Sequence, residues 1–265
     1  MYKMIAIDLD DTLLNDSHEI GHEDKKALLD AKEAGVKLCM VTGRNYYSAK
    51  PFLEQVSFVD LMGCLNGAYI VDPPSEQFLY QFPIRGDVCA EILKDIEKIG
   101  IYVNAYHDHR VMCSEKTDLT DYYKELTGVQ AEVVGKLSRY VLNMNIGKLL
   151  LIDETERLKQ IKKVLESQYS QTVYFTFSKP THLEVNSIHA SKGVAVKTIA
   201  RHFGFTREDI IAIGNDENDV SMLEYAGLGI AMGNASDKVK KHVNAITVTN
   251  NENGIARVIH QYLGF

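Results

Sequence analysis

A chain of 265 residues has room for one large domain or two smaller ones, and its 45% hydrophobic and 25% charged content is that of an ordinary globular protein with a full core. Its net charge of -7 argues against nucleic acid as a main partner, because phosphate-backbone binding needs clustered Lys and Arg. A small phosphorylated ligand is not excluded, since it needs only a local positive site.

Residues 4–7 read as an apolar strand that runs directly into Asp8, Asp10 and Asp11. On an extended backbone Asp8 and Asp10 project to the same side, and two converging carboxylates stay ionised only with a cation between them. That favours a Mg²⁺ site with a catalytic carboxylate pair; the alternative is a solvated acidic turn after an edge strand. Residues 22–34 carry Ala27, Leu28, Ala31 and Ala34 at helical spacing, and Gly35 stops the helix. Residues 36–41 read as a second strand ending in Thr42-Gly43-Arg44, where a hydroxyl and a closely approached backbone can hold phosphate oxygens. A helical stretch follows to about Gln55, and another short apolar segment ends in Asn66-Gly67-Ala68. Strands alternating with helices, each strand ending in polar residues or Gly, predict a parallel sheet with crossover helices.

The texture changes near Pro73-Pro74 and again at Pro83. A helix over 87–99, a hairpin over 101–106 and 110–114, a tyrosine-bearing helix over 119–126, a strand over 148–152, a helix over 154–168 and a strand pair over 172–177 and 182–185 suggest a separate α+β domain. Tyr102, Tyr106, His107, Tyr122 and Tyr123 could line a pocket there or serve packing. The α/β rhythm resumes at Ser191, which caps a helix beginning with Lys192, a point charge beside N–H groups that favour anions. The strand 210–213 then enters Gly214-Asn215-Asp216-Glu217-Asn218-Asp219, rich in the oxygen ligands that Mg²⁺ prefers. The fold expected is therefore a Rossmann-like α/β core, residues 1–82 and 182–265, with an α+β domain, 83–181, inserted in one of its loops. Cys39, Cys64, Cys89 and Cys113 form no C-x-x-C pair, a reduced, cytosolic pattern. Asp8 interrupts the first apolar run too early for a signal peptide, and no stretch approaches the ~20 apolar residues of a membrane span, so a cytoplasmic protein is expected.

Taken in order, Asp8-Leu9-Asp10-Asp11-Thr12, Val41-Thr42-Gly43-Arg44, Ser191-Lys192-Gly193 and the run from Gly214 to Leu223 resemble the four motifs of the haloacid dehalogenase superfamily. The inserted domain between the second and third motifs, and the tail Gly229-Ile230-Ala231-Met232-Gly233-Asn234-Ala235, are similar to its Cof-type subclass IIB. The resemblance implies Mg²⁺-dependent hydrolysis of small phosphomonoesters, such as sugar phosphates or phosphorylated cofactors, through an aspartyl-phosphate. It implies Asp8 as nucleophile, Asp10 as general acid then base, and Lys192 as the cation that neutralises phosphate and orients Asp8. Thr42, Gly43, Arg44, Asn66 and Asn218 fall to the phosphate site. Asp8, the Asp10 carbonyl, the first polar residue after Gly214 and Asp219 fall to the metal, and the inserted domain becomes a cap.

Two departures stand out. The family's first Asp of the fourth motif is Asn215 here, so either Asn215 supplies a neutral oxygen or a shifted loop presents Asp216. His189 replaces a common Gly three residues before Lys192, at the junction of the two domains. A phosphomutase is a second enzymatic reading, although Arg110, Arg139 and Arg157 are scattered and form no cluster for a bisphosphate. A non-catalytic phospho-receiver is a third, and Asp10 counts against it because a receiver has no use for an acid–base group. Neither oligomeric state nor substrate is legible.

Overall fold

Met4–Ile7 forms a strand inside an eight-stranded sheet in the computed structural model, which describes residues 2–264. All four of its residues are buried, so both faces of the strand are covered, and this is why the sequence shows a continuous apolar run instead of alternation. Across the sheet the order is Ala245–Ile246, Leu228–Ala231, Ile210–Gly214, Met4–Ile7, Lys37–Val41, Leu61–Cys64, Tyr69–Asp72 and Gln77–Gln81. The first six strands run parallel, and Tyr69–Asp72 turns back antiparallel onto Leu61–Cys64. From Met4–Ile7 the chain builds the sheet in one direction; from Ile210–Gly214, paired to its other side, it builds the opposite way. Open α/β sheets bind ligands at such a reversal, beyond the carboxyl ends of the strands.

The chain divides into two compact units. The first holds this sheet and comprises the chain up to Arg44, Ala49–Tyr80 and the chain from Ser191 onward. The second comprises Asn45–Ser48 and Gln81–Ala190. Its six-stranded sheet runs Val173–Lys179, His182–Ser187, Lys148–Ile152, Tyr102–His107, Arg110–Cys113, Glu132–Val133, antiparallel except for the last pair. Helix Gly86–Ile99 buries Cys89, Ile92, Leu93 and Ile96, and helix Thr155–Tyr169 buries Leu158, Ile161 and Leu165. Both stripes join one apolar cluster with Val103, Leu149, Leu151, Leu183 and Val185 of the sheet. A boundary at 181 falls inside a hairpin. His182–Ser187 is hydrogen-bonded between Val173–Lys179 and Lys148–Ile152, so the second unit continues to Ala190.

All four cysteines are free and buried. Among the described residues no helix is long and apolar enough to cross a membrane.

Candidate active site

Asp8 follows the last residue of its strand and remains extended, at φ -70° and ψ 158°, with its N–H bonded to the Ile213 carbonyl at 3.0 Å. The chain then turns within Leu9–Leu13: Asp11 takes φ 54°, a conformation Asp tolerates better than most residues, and the Leu14 N–H closes the turn on the Leu9 carbonyl. Leu9 is fully buried, so Asp8 and Asp10 lie either side of a residue anchored in the core.

The Asp8 carboxylate is buried and meets two other motifs. Lys192 begins helix Lys192–His202, where the Ser191 hydroxyl accepts the Val194 N–H as a cap. Its ammonium donates to Asp8 Oδ1 at 2.6 Å and to Asp219 Oδ1 at 2.5 Å, and all three side chains are at most 5% exposed. Burial, then the nearby Asp219 carboxylate, pushes the Asp8 carboxyl well above the ordinary carboxylate range, and Lys192 pulls it back. Burial works against charge on Lys192 as well, but Asp219 and Asp8 outweigh it and hold the ammonium above its ordinary pKa.

Asp219 Oδ2 accepts the backbone N–H groups of Asn215 and Asp216, each at 2.9 Å. Both Asp219 oxygens are thus engaged, Oδ1 by Lys192 and Oδ2 by the backbone of the 214–219 loop. Gly214 permits this packing, since a Cβ there would lie 2.6 Å from the Asp219 carboxyl carbon.

Asn215 is the residue that reaches Asp8. The inner atom of its amide lies 2.9 Å from Thr12 Oγ1 and 3.2 Å from both Asp8 Oδ2 and the Asp10 carbonyl oxygen. With the NH₂ turned inward, all three oxygens lie within hydrogen-bond distance of its two N–H donors. With the oxygen inward it accepts from Thr12, and three oxygens converge, an arrangement that calls for a cation. The set is one carboxylate, one amide and one carbonyl, and among the described residues no three His, Cys, Asp or Glu side chains gather as a metal site. Asp216 instead accepts the Glu217 N–H at 2.7 Å at the start of the turn Glu217–Asp219.

Thr42 is fully buried past the end of Lys37–Val41, and its hydroxyl accepts the Arg44 N–H at 3.1 Å. Asn66, at φ 56°, donates its N–H to the Thr42 carbonyl at 3.0 Å and accepts a hydrogen bond from Asn218 Nδ2 at 3.1 Å. A Cβ on Gly43 would lie 3.2 Å from Asn66 Oδ1 and 3.9 Å from Asn218 Nδ2. Thr42, Gly43, Asn66 and Asn218 therefore form one polar group. The Arg44 guanidinium is paired with the Asp10 carboxylate. His189 lies in the second unit, exposed, with its N–H on Ser187 Oγ.

A parallel sheet that presents an Asp pair, a buried Lys and an Asn-rich loop at the strand ends defines a class of phosphate-processing hydrolases. The model of the family described as haloacid dehalogenase-like hydrolase matches residues 5–259, and the chain belongs to that family. In Bacillus subtilis, the 5-amino-6-(5-phospho-D-ribitylamino)uracil phosphatase YcsE is 32% identical over 267 residues, covering 98% of this chain and 96% of YcsE. A second phosphatase of the same name and organism, YitU, is 30% identical over 98% of this chain and 97% of its own. The crystal structure of TM0651 from Thermotoga maritima superposes with a TM-score of 0.88 at 30% identity, covering 98% of this chain and 97% of that one.

Proposed function

We propose that the protein is a Mg²⁺-dependent phosphatase that hydrolyses small phosphomonoesters through an aspartyl-phosphate on Asp8. The observation that carries this reading is the buried Asp8 carboxylate, with Lys192 on one oxygen and Asn215 facing the other.

Asp8 Oδ2, the Asp10 carbonyl and the Asn215 side-chain oxygen would hold the metal. When bound, Mg²⁺ favours the ionised form of Asp8 and offsets the negative charge of a phosphate dianion. The Thr42 hydroxyl, the Gly43 backbone and Asn218 hold the phosphate oxygens, and Lys192 stabilises the charge that develops on them. Asp8 attacks phosphorus, the ester P–O bond breaks, and the leaving alkoxide takes a proton from Asp10. Asp10, now a carboxylate, takes a proton from water, which attacks the phosphoryl group; inorganic phosphate leaves and the Asp8 carboxylate is restored.

The substrate class is a phosphate monoester of a sugar or a cofactor. Phosphoribityl compounds of the kind named for YcsE and YitU are the first candidates. The test is turnover of a panel of phosphorylated metabolites by wild type, Asp8→Asn and Asp10→Asn, with and without Mg²⁺. Asp8→Asn abolishes turnover and phosphoenzyme, because an amide does not attack phosphorus. Asp10→Asn still binds phosphate but loses at least ~10²-fold in rate, the usual scale of a general acid–base group. Near-wild-type turnover by either variant refutes the mechanism.

A further inference from the structure

Arg44 Nε lies 2.9 Å from Asp10 Oδ2 and 3.1 Å from Oδ1, and Nη2 lies 2.6 Å from Oδ1. Contact with both oxygens fixes the plane of a carboxylate as well as its position. The guanidinium is supported in turn. Its central carbon stands 4.9 Å from the centroid of the Phe52 ring, and the Arg44 N–H is tied to the Thr42 hydroxyl. The Asp10 side chain is 43% exposed, whereas Asp8 is buried and held by Lys192. A half-exposed carboxylate beside a turn samples several rotamers unless something holds it, and holding it costs conformational entropy.

We propose that Arg44 is the positioning residue for Asp10, with Phe52 as its platform: it aims the Asp10 carboxyl at the leaving-group oxygen and does not ligate the substrate phosphate. The inference rests on the acid–base role proposed for Asp10. It also reassigns the third residue of the Thr42-Gly43-Arg44 segment from substrate binding to the geometry of proton transfer.

Two substrates separate these roles. p-Nitrophenolate departs without a proton, so formation of the phosphoenzyme from p-nitrophenyl phosphate is indifferent to where Asp10 points. An alkyl phosphate such as glycerol phosphate needs the proton. Arg44→Met lowers kcat/KM for the alkyl ester about tenfold or more, while kcat/KM for the aryl ester and the inhibition constant of inorganic phosphate stay within about twofold. Phe52→Leu gives the same split with a smaller amplitude. In an Asp10→Asn background Arg44→Met adds no further loss, because the group it positions is gone. Should Arg44→Met fail to fold, Arg44→Lys, which keeps the charge but not the fork, shows the same substrate split. Equal losses on both esters with a raised phosphate inhibition constant, or additive losses in the double variant, overturn the proposal and make Arg44 a phosphate ligand or an independent group. If Asp10→Asn alone fails to discriminate the two esters, the acid–base reading of Asp10 fails first, and that outcome is visible before any Arg44 variant is made.

Discussion

Asn215→Asp puts a second carboxylate where a neutral amide now faces Asp8. The distance is 3.2 Å to Asp8 Oδ2, at which two unit charges interact by about 5 kcal/mol at an effective dielectric near 20. Asn215 is partly exposed, and solvent screening leaves about a third of that, about 1–2 kcal/mol. Above about pH 8, where Asp8 is ionised without metal, the variant is therefore less stable than wild type by that amount, a fall in Tm of about 2–4 °C per kcal/mol. With Mg²⁺ the sign reverses: the added charge becomes a ligand, and apparent Mg²⁺ affinity tightens at least about tenfold, or about 1.4 kcal/mol. Calorimetric titration of Mg²⁺, and thermal unfolding in chelator and in Mg²⁺, measure both halves without reference to activity. Asp216→Asn is the control. Its carboxylate accepts the Glu217 N–H, which an amide oxygen also does, so Mg²⁺ affinity holds. A tenfold loss in Asp216→Asn together with no gain in Asn215→Asp refutes the reasoning and assigns the metal to Asp216.

Lys192→Met leaves Asp8 and Asp219 buried without their shared cation and costs about 3–5 kcal/mol of stability in urea unfolding; a loss below about 1 kcal/mol contradicts the burial of the triad. Asp24 accepts the Ala256 N–H at 2.8 Å in the core, and burial pushes its carboxyl from 3.8 up to about 6. The folded state keeps this proton where the unfolded chain has lost it, so stability falls as pH rises from about 4 to about 6, by up to about 3 kcal/mol, and Asp24→Asn flattens that part of the curve. Replacing Gln81–Ala190 by a short linker removes only Gln81 from the eight-stranded sheet, and the remaining chain unfolds cooperatively in a thermal melt; a truncated chain with no folded signal argues against independent units.

The parts of the site that announce themselves in sequence lie where a change of residue type coincides with the end of an element. The apolar run 4–7 ending in Asp8, the run into Thr42 and the Ser191 cap before Lys192 are local patterns, and local geometry preserves them. The partnerships are not local. Arg44 reaches Asp10 across 34 positions and Asp219 reaches Lys192 across 27, so nothing near Arg44 or Asp219 in the chain tells which partner each side chain takes. The second unit shows the same limit. Lys148 opens a strand and is buried with its ammonium 2.7 Å from Glu184, a pairing set by the register of two strands and spanning 36 positions. Gln77–Gln81 is illegible in sequence for the opposite reason: an edge strand whose residues stay largely exposed carries no periodic apolar signal.

Asn215 and Lys192 together explain how this site holds two buried carboxylates. Lys192 is one cation shared by two buried carboxyl groups, and burial together with Asp219 raises Asp8 to about 8, so that at neutral pH a proton on Asp8 takes the place of a second cation. Asp10 is already balanced by Arg44 and brings no relief. An Asp at 215 would set a further carboxylate beside Asp8, whereas an amide adds no charge and has two faces. Its NH₂ faces Asp8, Thr12 and the Asp10 carbonyl with two donors; its oxygen, turned to the same point, accepts from Thr12. A carboxylate has no donor face, and at 215 it would gain metal affinity only by raising the energy of the metal-free fold.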